Sequence, residues 1–101
     1  MNKEEELYRL LGKIPNGKIT TYKAIAAACG ISARKAGSIL SKNPNPIIVP
    51  CHRVVRADGK IGGYTWKGKI DSNRKIFLLR KEGTQIKKNK VLDFESKLVR
   101  F

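Results

Sequence analysis

Apolar residues at Leu7, Leu10 and Leu11 keep helical spacing and predict a first helix over 4–11. Pro15-Asn16-Gly17 ends it with strong turn chemistry. After Ile19-Thr20-Thr21, an alanine-rich stretch predicts a second helix over 22–29, with Thr21 placed to cap it and Gly30 to close it. Ser32 is placed to cap a third helix over 33–41, so a helix, a short glycine-containing turn and a helix follow one another. Asn43-Pro44-Asn45-Pro46 reads as a rigid loop, because each proline fixes φ and removes a donor. Ile47-Ile48-Val49 is expected to be a short buried run leading into Pro50-Cys51-His52-Arg53-Val54-Val55.

Ala57-Asp58-Gly59-Lys60 predicts a hairpin turn with a strand on either side. Gly62-Gly63-Tyr64 predicts an irregular loop. Asp71 or Ser72 is placed to cap a last core helix to about residue 81, carrying Ile76, Phe77, Leu78 and Leu79 and ended by Gly83. The expected fold is mainly α with a small β-hairpin wing, a winged helix-turn-helix domain over 1–83. Residues 84–101 are expected to be a basic C-terminal extension, and Val91, Leu92, Phe94 and Leu98 suit a short docked helix.

Charge alters this picture more than length does. Among 101 residues, 22 are Lys or Arg and 8 are acidic, a net charge of +14 that points to a polyanion, most often nucleic acid. No basic amphipathic stretch carries a strong apolar face, and no apolar run is long enough for a membrane span. The N-terminus lacks the apolar core of a signal peptide, so the expected location is cytoplasmic, where thiols stay reduced. Two cysteines outside any CxxC pair and a single histidine disfavour structural zinc. The third helix opens Ala33-Arg34-Lys35-Ala36-Gly37. Small residues there allow close approach to a DNA groove, and the basic pair suits phosphates.

Cys51 followed directly by His52 is the candidate chemistry, with Glu82 on the late helix. A thiol acts as thiolate, and a base oriented by a third group is the general activated-nucleophile arrangement. Taken alone, the pair is weak: a buried inert cysteine is the commoner reading, and strand neighbours point to opposite faces. Cys29 is assigned to packing.

The stretch NPNPIIVPCHRVV closely resembles the active-site segment of the O6-alkylguanine-DNA alkyltransferases (methylated-DNA–protein-cysteine methyltransferases). The resemblance runs from about Ile14 to Gly83 and includes IPNGKITTYKAIA, SARKAGSIL, the GGY loop and the closing LLRKEG. It implies single-turnover repair, in which the alkyl group of O6-alkylguanine (and of O4-alkylthymine) in double-stranded DNA moves irreversibly to Cys51. It also implies a monomer, with or without cooperativity on DNA, and neither metal nor cofactor.

By this resemblance His52 removes the thiol proton through a water, Glu82 orients His52, and Asn43 shapes the turn. Tyr22 helps rotate the nucleotide out and donates to the purine. Arg34 fills the vacated base stack, since extruding a base costs a few kcal/mol. Ala33, Lys35, Gly37, Tyr22 and Arg53 join Arg34 as DNA contacts. Val49, Pro50, Tyr64, Thr65 and Trp66 form the expected substrate pocket.

Against the family pattern, the chain is expected to be the DNA-binding, catalytic domain alone, without the usual N-terminal domain, and it carries a basic tail. Thr65-Trp66-Lys67 stands where many members have small residues, and the loop over 68–72 is slightly longer. Trp66 is expected to narrow the pocket or to wall it for bulky adducts. The competing class is the alkyltransferase-like protein, which flags damage without transfer and has Trp or another residue at the cysteine position. A winged-helix transcription regulator would explain the charge and helices but not Pro50-Cys51-His52-Arg53.

Overall fold

The computed structural model of the chain describes residues 2–45 and 48–101. Helix α1 (Lys3–Leu11) begins where the Asn2 side chain accepts from the Glu5 amide at 2.8 Å, and three glutamates in its first turn suit the positive end of the helix dipole. Leu7, Leu10 and Leu11 turn inward as one stripe. Strand β1 (Thr20–Thr21) runs straight into α2 (Tyr22–Cys29), and the Thr21 hydroxyl caps it by accepting from Ala24 N at 3.0 Å. Gly30 closes α2 at φ +70°, a left-handed conformation in which a side chain would be strained. Ser32 then caps α3 (Ala33–Leu40), accepting from Lys35 N at 3.0 Å. Helices α2 and α3 form the helix-turn-helix, with Ile25, Ala26, Cys29, Ala36 and Leu40 buried between them and α1.

A single 3-10 turn, Cys51–Arg53, leads into β2 (Val54–Val55). Here the structure corrects an expectation. The 57–60 turn forms, with Gly59 N donating to Arg56 O at 3.0 Å, but its flanks do not pair as a two-stranded wing. Instead β2 pairs in parallel with β1, matching Thr20 to Val54 and Thr21 to Val55. The reason is burial on both faces. Val54 and Val55 are each fully buried, Val54 in the core of α1–α3 and Val55 in a second core with Ile19, Ile61, Leu79, Ile86 and Val91.

The hairpin beside the helix-turn-helix comes later, as β3 (Thr65–Trp66) and β4 (Lys69–Ile70), after an irregular 62–64 segment. Helix α4 (Ser72–Lys81) follows, capped by Asp71, which accepts from Arg74 N at 3.0 Å. It buries Lys75 and Leu79 and leaves Phe77 62% exposed. The remaining segment forms a hairpin, β5 (Ile86–Lys87) and β6 (Lys90–Val91), and a one-turn helix α5 (Phe94–Lys97). Ile86 and Val91 enter the second core, and Leu98 bridges in parallel to Ile19. The expected apolar run over 47–49 is also corrected. Ile48 is exposed and Val49 half-buried, while Ile47, like Pro46 and Met1, lies outside the described residues. The whole is a mainly helical domain with small sheets, of winged-helix type.

Candidate active site

The 3-10 turn decides how the Cys-His-Arg run is used. At three residues per turn, successive side chains leave in directions about 120° apart. Cys51 opens onto a cavity of about 210 Å³ lined by Tyr22, Gly37, Leu40, Ser41, Gly63, Tyr64, Thr65 and Ile70. His52, fully buried, points to α4, where Nε2 faces Glu82 Oε2 at 3.0 Å. Arg53 grips the same carboxylate: Nε donates to Oε1 at 2.9 Å and Nη2 to Oε2. Its Nη1 also donates to Ile14 O at 2.6 Å, tying the turn after α1 to the end of α4. Arg53, expected as a DNA contact, has its guanidinium committed inward, and its side chain is 15% exposed.

With Nε2 facing a carboxylate, its proton belongs there, and Nδ1 keeps a lone pair. That Nδ1 is buried and has no hydrogen-bond partner among the described residues. Burial lowers the His52 pKa against the opposing pull of Glu82, so the ring is neutral near pH 7. Burial works to raise Glu82, but hydrogen bonds from Arg53 and His52 outweigh it and hold the carboxyl below its usual range. Burial pushes the Cys51 thiol up, opposed by the Asn43 side chain and the Lys75 charge. Asn43 also clamps the loop: Nδ2 donates to Val49 O at 2.8 Å and Oδ1 accepts from Asn45 N at 3.0 Å.

Lys75 is the member of the site that hydrophobic patterning did not reveal. Its Nζ donates to Val54 O at 2.7 Å, Gly63 O at 3.2 Å and the Tyr22 hydroxyl at 3.4 Å. Burial depresses its pKa to about 7, partly offset by Cys51. The available signal was spacing, since Lys75 stands four residues before buried Leu79 and seven before Glu82, on one helical stripe. Tyr22 and Tyr64 are both pushed up to about 12, chiefly by burial, so both hydroxyls keep their protons. The Tyr64 hydroxyl is another buried group without a hydrogen-bond partner among the described residues.

Of the residues expected in the substrate pocket, Tyr64 and Thr65 line the Cys51 cavity, and Val49, Pro50 and Trp66 are not among its lining residues. Val49 serves through its carbonyl, which accepts from Cys51 N at 2.7 Å as well as from Asn43. Trp66 stacks on Tyr64 at 6.5 Å and carries the Arg74 guanidinium 4.4 Å from its ring centre. Ile70, exposed on β4, takes the lining position instead. Ala33, Arg34 and Lys35 are exposed at the start of α3. Arg34 stands one turn before Gly37, whose missing side chain leaves open space beside the cavity.

The chain is thus a winged-helix domain with a cysteine lining its cavity, and comparison with known proteins agrees. The family model described as "6-O-methylguanine DNA methyltransferase, DNA binding domain" matches residues 2–84, and the chain belongs to that family. It is 46% identical over 73 residues to a methylated-DNA–protein-cysteine methyltransferase of Pyrobaculum aerophilum, covering 72% of this chain and 47% of that protein. A protein of the same name from Saccharolobus solfataricus is 46% identical over 80 residues, covering 79% of this chain and 50% of its own length. The chain therefore spans about half the length of these curated relatives.

Among solved structures, Mycobacterium tuberculosis OGT in complex with DNA superposes with a TM-score of 0.72 at 39% identity, covering 81% of this chain and 50% of that one. S. pombe Atl1, in complex with damaged DNA containing O6-carboxymethylguanine, superposes with a TM-score of 0.81 at 25% identity. That match covers 98% of this chain and 95% of Atl1.

Proposed function

We propose that this protein repairs DNA by moving the alkyl group of O6-alkylguanine onto the Cys51 sulfur, once per molecule. The observation that carries the reading is the division of labour in the 3-10 turn. Cys51 opens onto a cavity while its neighbour His52 has one nitrogen pinned to Glu82 and the other without a hydrogen-bond partner among the described residues. In this mechanism His52 Nδ1 takes the thiol proton through a bridging water. The thiolate attacks the alkyl carbon, an S–C bond forms, and the O6–C bond breaks. The electron pair leaves with the guanine, which recovers a proton and departs as ordinary guanine. The Tyr22 hydroxyl, protonated and held beside Lys75 and Gly63 O, is the donor to the leaving base.

Arg34 on the exposed start of α3 takes the place of the extruded nucleotide, with Ala33, Lys35 and Gly37 allowing close approach to the groove. Arg53 acts inside the protein by fixing Glu82. Glu82 in turn fixes the tautomer of His52. The thioether is stable, so the protein is consumed.

The second reading is a lesion-binding protein without transfer, and its support is the near-complete coverage of Atl1. Cys51 favours transfer. Incubating the protein with a duplex containing O6-methylguanine and weighing it should show a stoichiometric gain of one methyl, absent in Cys51→Ser. Tight binding with no change of mass would replace transfer by lesion flagging.

A further inference from the structure

The β5–β6 hairpin lies beyond the segment the family model covers, and its sequence works against its own folding. Ile86 and Val91 face each other and enter the second core. The other cross-strand pair is Lys87 opposite Lys90, and Lys90 is bridged on its far side to Lys60. Lys60, Lys90 and Lys87 therefore form a row across the two hairpin strands and the bridged residue beside them, all exposed. Directly opposed residues share a face with Cβ atoms about 5 Å apart, and like charges there are destabilising.

The turn adds a fourth lysine in a costly conformation. Lys88 and Asn89 have φ +52° and +61°, the pattern of a type I′ turn. A left-handed lysine costs about 1–2 kcal/mol where glycine or asparagine would not. Among the described residues none of Lys60, Lys87, Lys88 and Lys90 has a carboxylate in ion-pair range, and the nearby Asp58 is engaged by Arg56 at 3.4 Å.

Repulsion among these lysines, eased only at Lys60 by Asp58 and held in place by a buried apolar pair, is what a polyanion would relieve. The row also connects to the candidate active site. Arg56, Lys60, Gly62 and Asn89 share one shallow depression. A side chain on Gly62 would come within 3.5 Å of Tyr22, which lines the Cys51 cavity.

We infer that the Lys60–Lys90–Lys87 row and Lys88 are a second DNA-binding element, gripping the phosphate backbone of the duplex whose damaged base enters the Cys51 cavity. The inference rests on the proposed DNA function, but not on alkyl transfer. Flexible lysine side chains rooted about 5 Å apart can follow successive phosphates along one DNA strand.

The test is the salt dependence of binding to an undamaged duplex, comparing the full chain with the triple variant Lys87→Gln, Lys88→Gln, Lys90→Gln. Each lost phosphate contact removes roughly 0.9 from the slope of log K against log salt, so a fall of about 2 to 3 is expected. The corresponding triple arginine variant should restore the slope. Without DNA at low salt, the glutamine variant should melt no lower than the parent. An unchanged slope, or a glutamine variant that melts lower, would overturn the proposal. Reaction with free O6-alkylguanine base, which has no phosphates, should be the same in parent and glutamine variant. If the parent itself fails to react, alkyl transfer is lost while the hairpin is still judged by its slope.

Discussion

Glu82 and Lys75 lie seven residues apart on the inner stripe of α4 and its cap, and both serve the segment around Cys51, yet the fold treats the two charges in opposite ways. Glu82 is met by Arg53 and His52, and its carboxyl is held below the usual range. Lys75 is met by two carbonyls and a phenol, and burial drives its pKa to about 7. A charge paired with charge anchors structure. A charge buried among dipoles stays close to neutrality and is ready to give up its proton. Cys51 feels the Lys75 charge, which opposes the upward push of burial on its thiol.

Removing Glu82 should be the harshest way to break this contrast. Glu82→Ala strands Arg53 as a mostly buried cation and frees His52, so destabilisation on the order of 3 kcal/mol is expected from chemical denaturation. Transfer to Cys51 should slow by about 10²-fold or more in single-turnover assays, the scale of a lost general base. A variant as stable and fast as the parent would remove the orienting role of Glu82.

Lys75 is tested by pH. Its folded pKa of about 7 lies below the ordinary 10.5, so between these values the unfolded chain binds more protons than the folded one. Stability should therefore rise with pH from about 7 towards 10, and the contribution should be wholly absent below 7. Denaturation curves across that range should show the rise in the parent and flatten in Lys75→Met. Equal pH dependence in both would mean that Lys75 is not the group responsible.

Two smaller effects test the edges of the comparison. Trp66→Ala should cost about 1 kcal/mol, the scale of its stacking and cation–π contacts with Tyr64 and Arg74. Methyl transfer should be almost unchanged, because Trp66 does not line the Cys51 cavity. Ile70→Ala, by contrast, should alter adduct preference, measured by competition between methyl and benzyl substrates. Phe77→Gln, on the exposed side of α4, should change stability by less than about 0.5 kcal/mol.

Much of this was legible in the sequence. Caps and glycines are local signals, so Thr21, Ser32 and Gly30 marked helix ends where the structure has them, and of the two cap candidates Asp71 and Ser72 the structure uses Asp71. The Pro50-Cys51-His52-Arg53 run and Glu82 identified the candidate site, and the structure brings His52 and Glu82 into contact. Pairing was not legible. Val54 and Val55 looked like one arm of a hairpin, but the partner of a doubly buried strand is set by which cores its two faces meet. Hydrophobicity likewise picked Phe77 for the core of α4, whereas the stripe facing Cys51 takes Lys75 and leaves the phenylalanine outside.

The sequence by itself determined the helices, their caps, the net charge and the presence of a cysteine beside a histidine, because each depends on neighbours in the chain or on composition. Tertiary structure alone decided that Cys51 and His52 leave one 3-10 turn in different directions, that Arg53 turns inward, and that a lysine is buried beside the thiol. Those outcomes depend on which distant groups arrive to share or withhold charge. That is a property of packing rather than of any local run of residues.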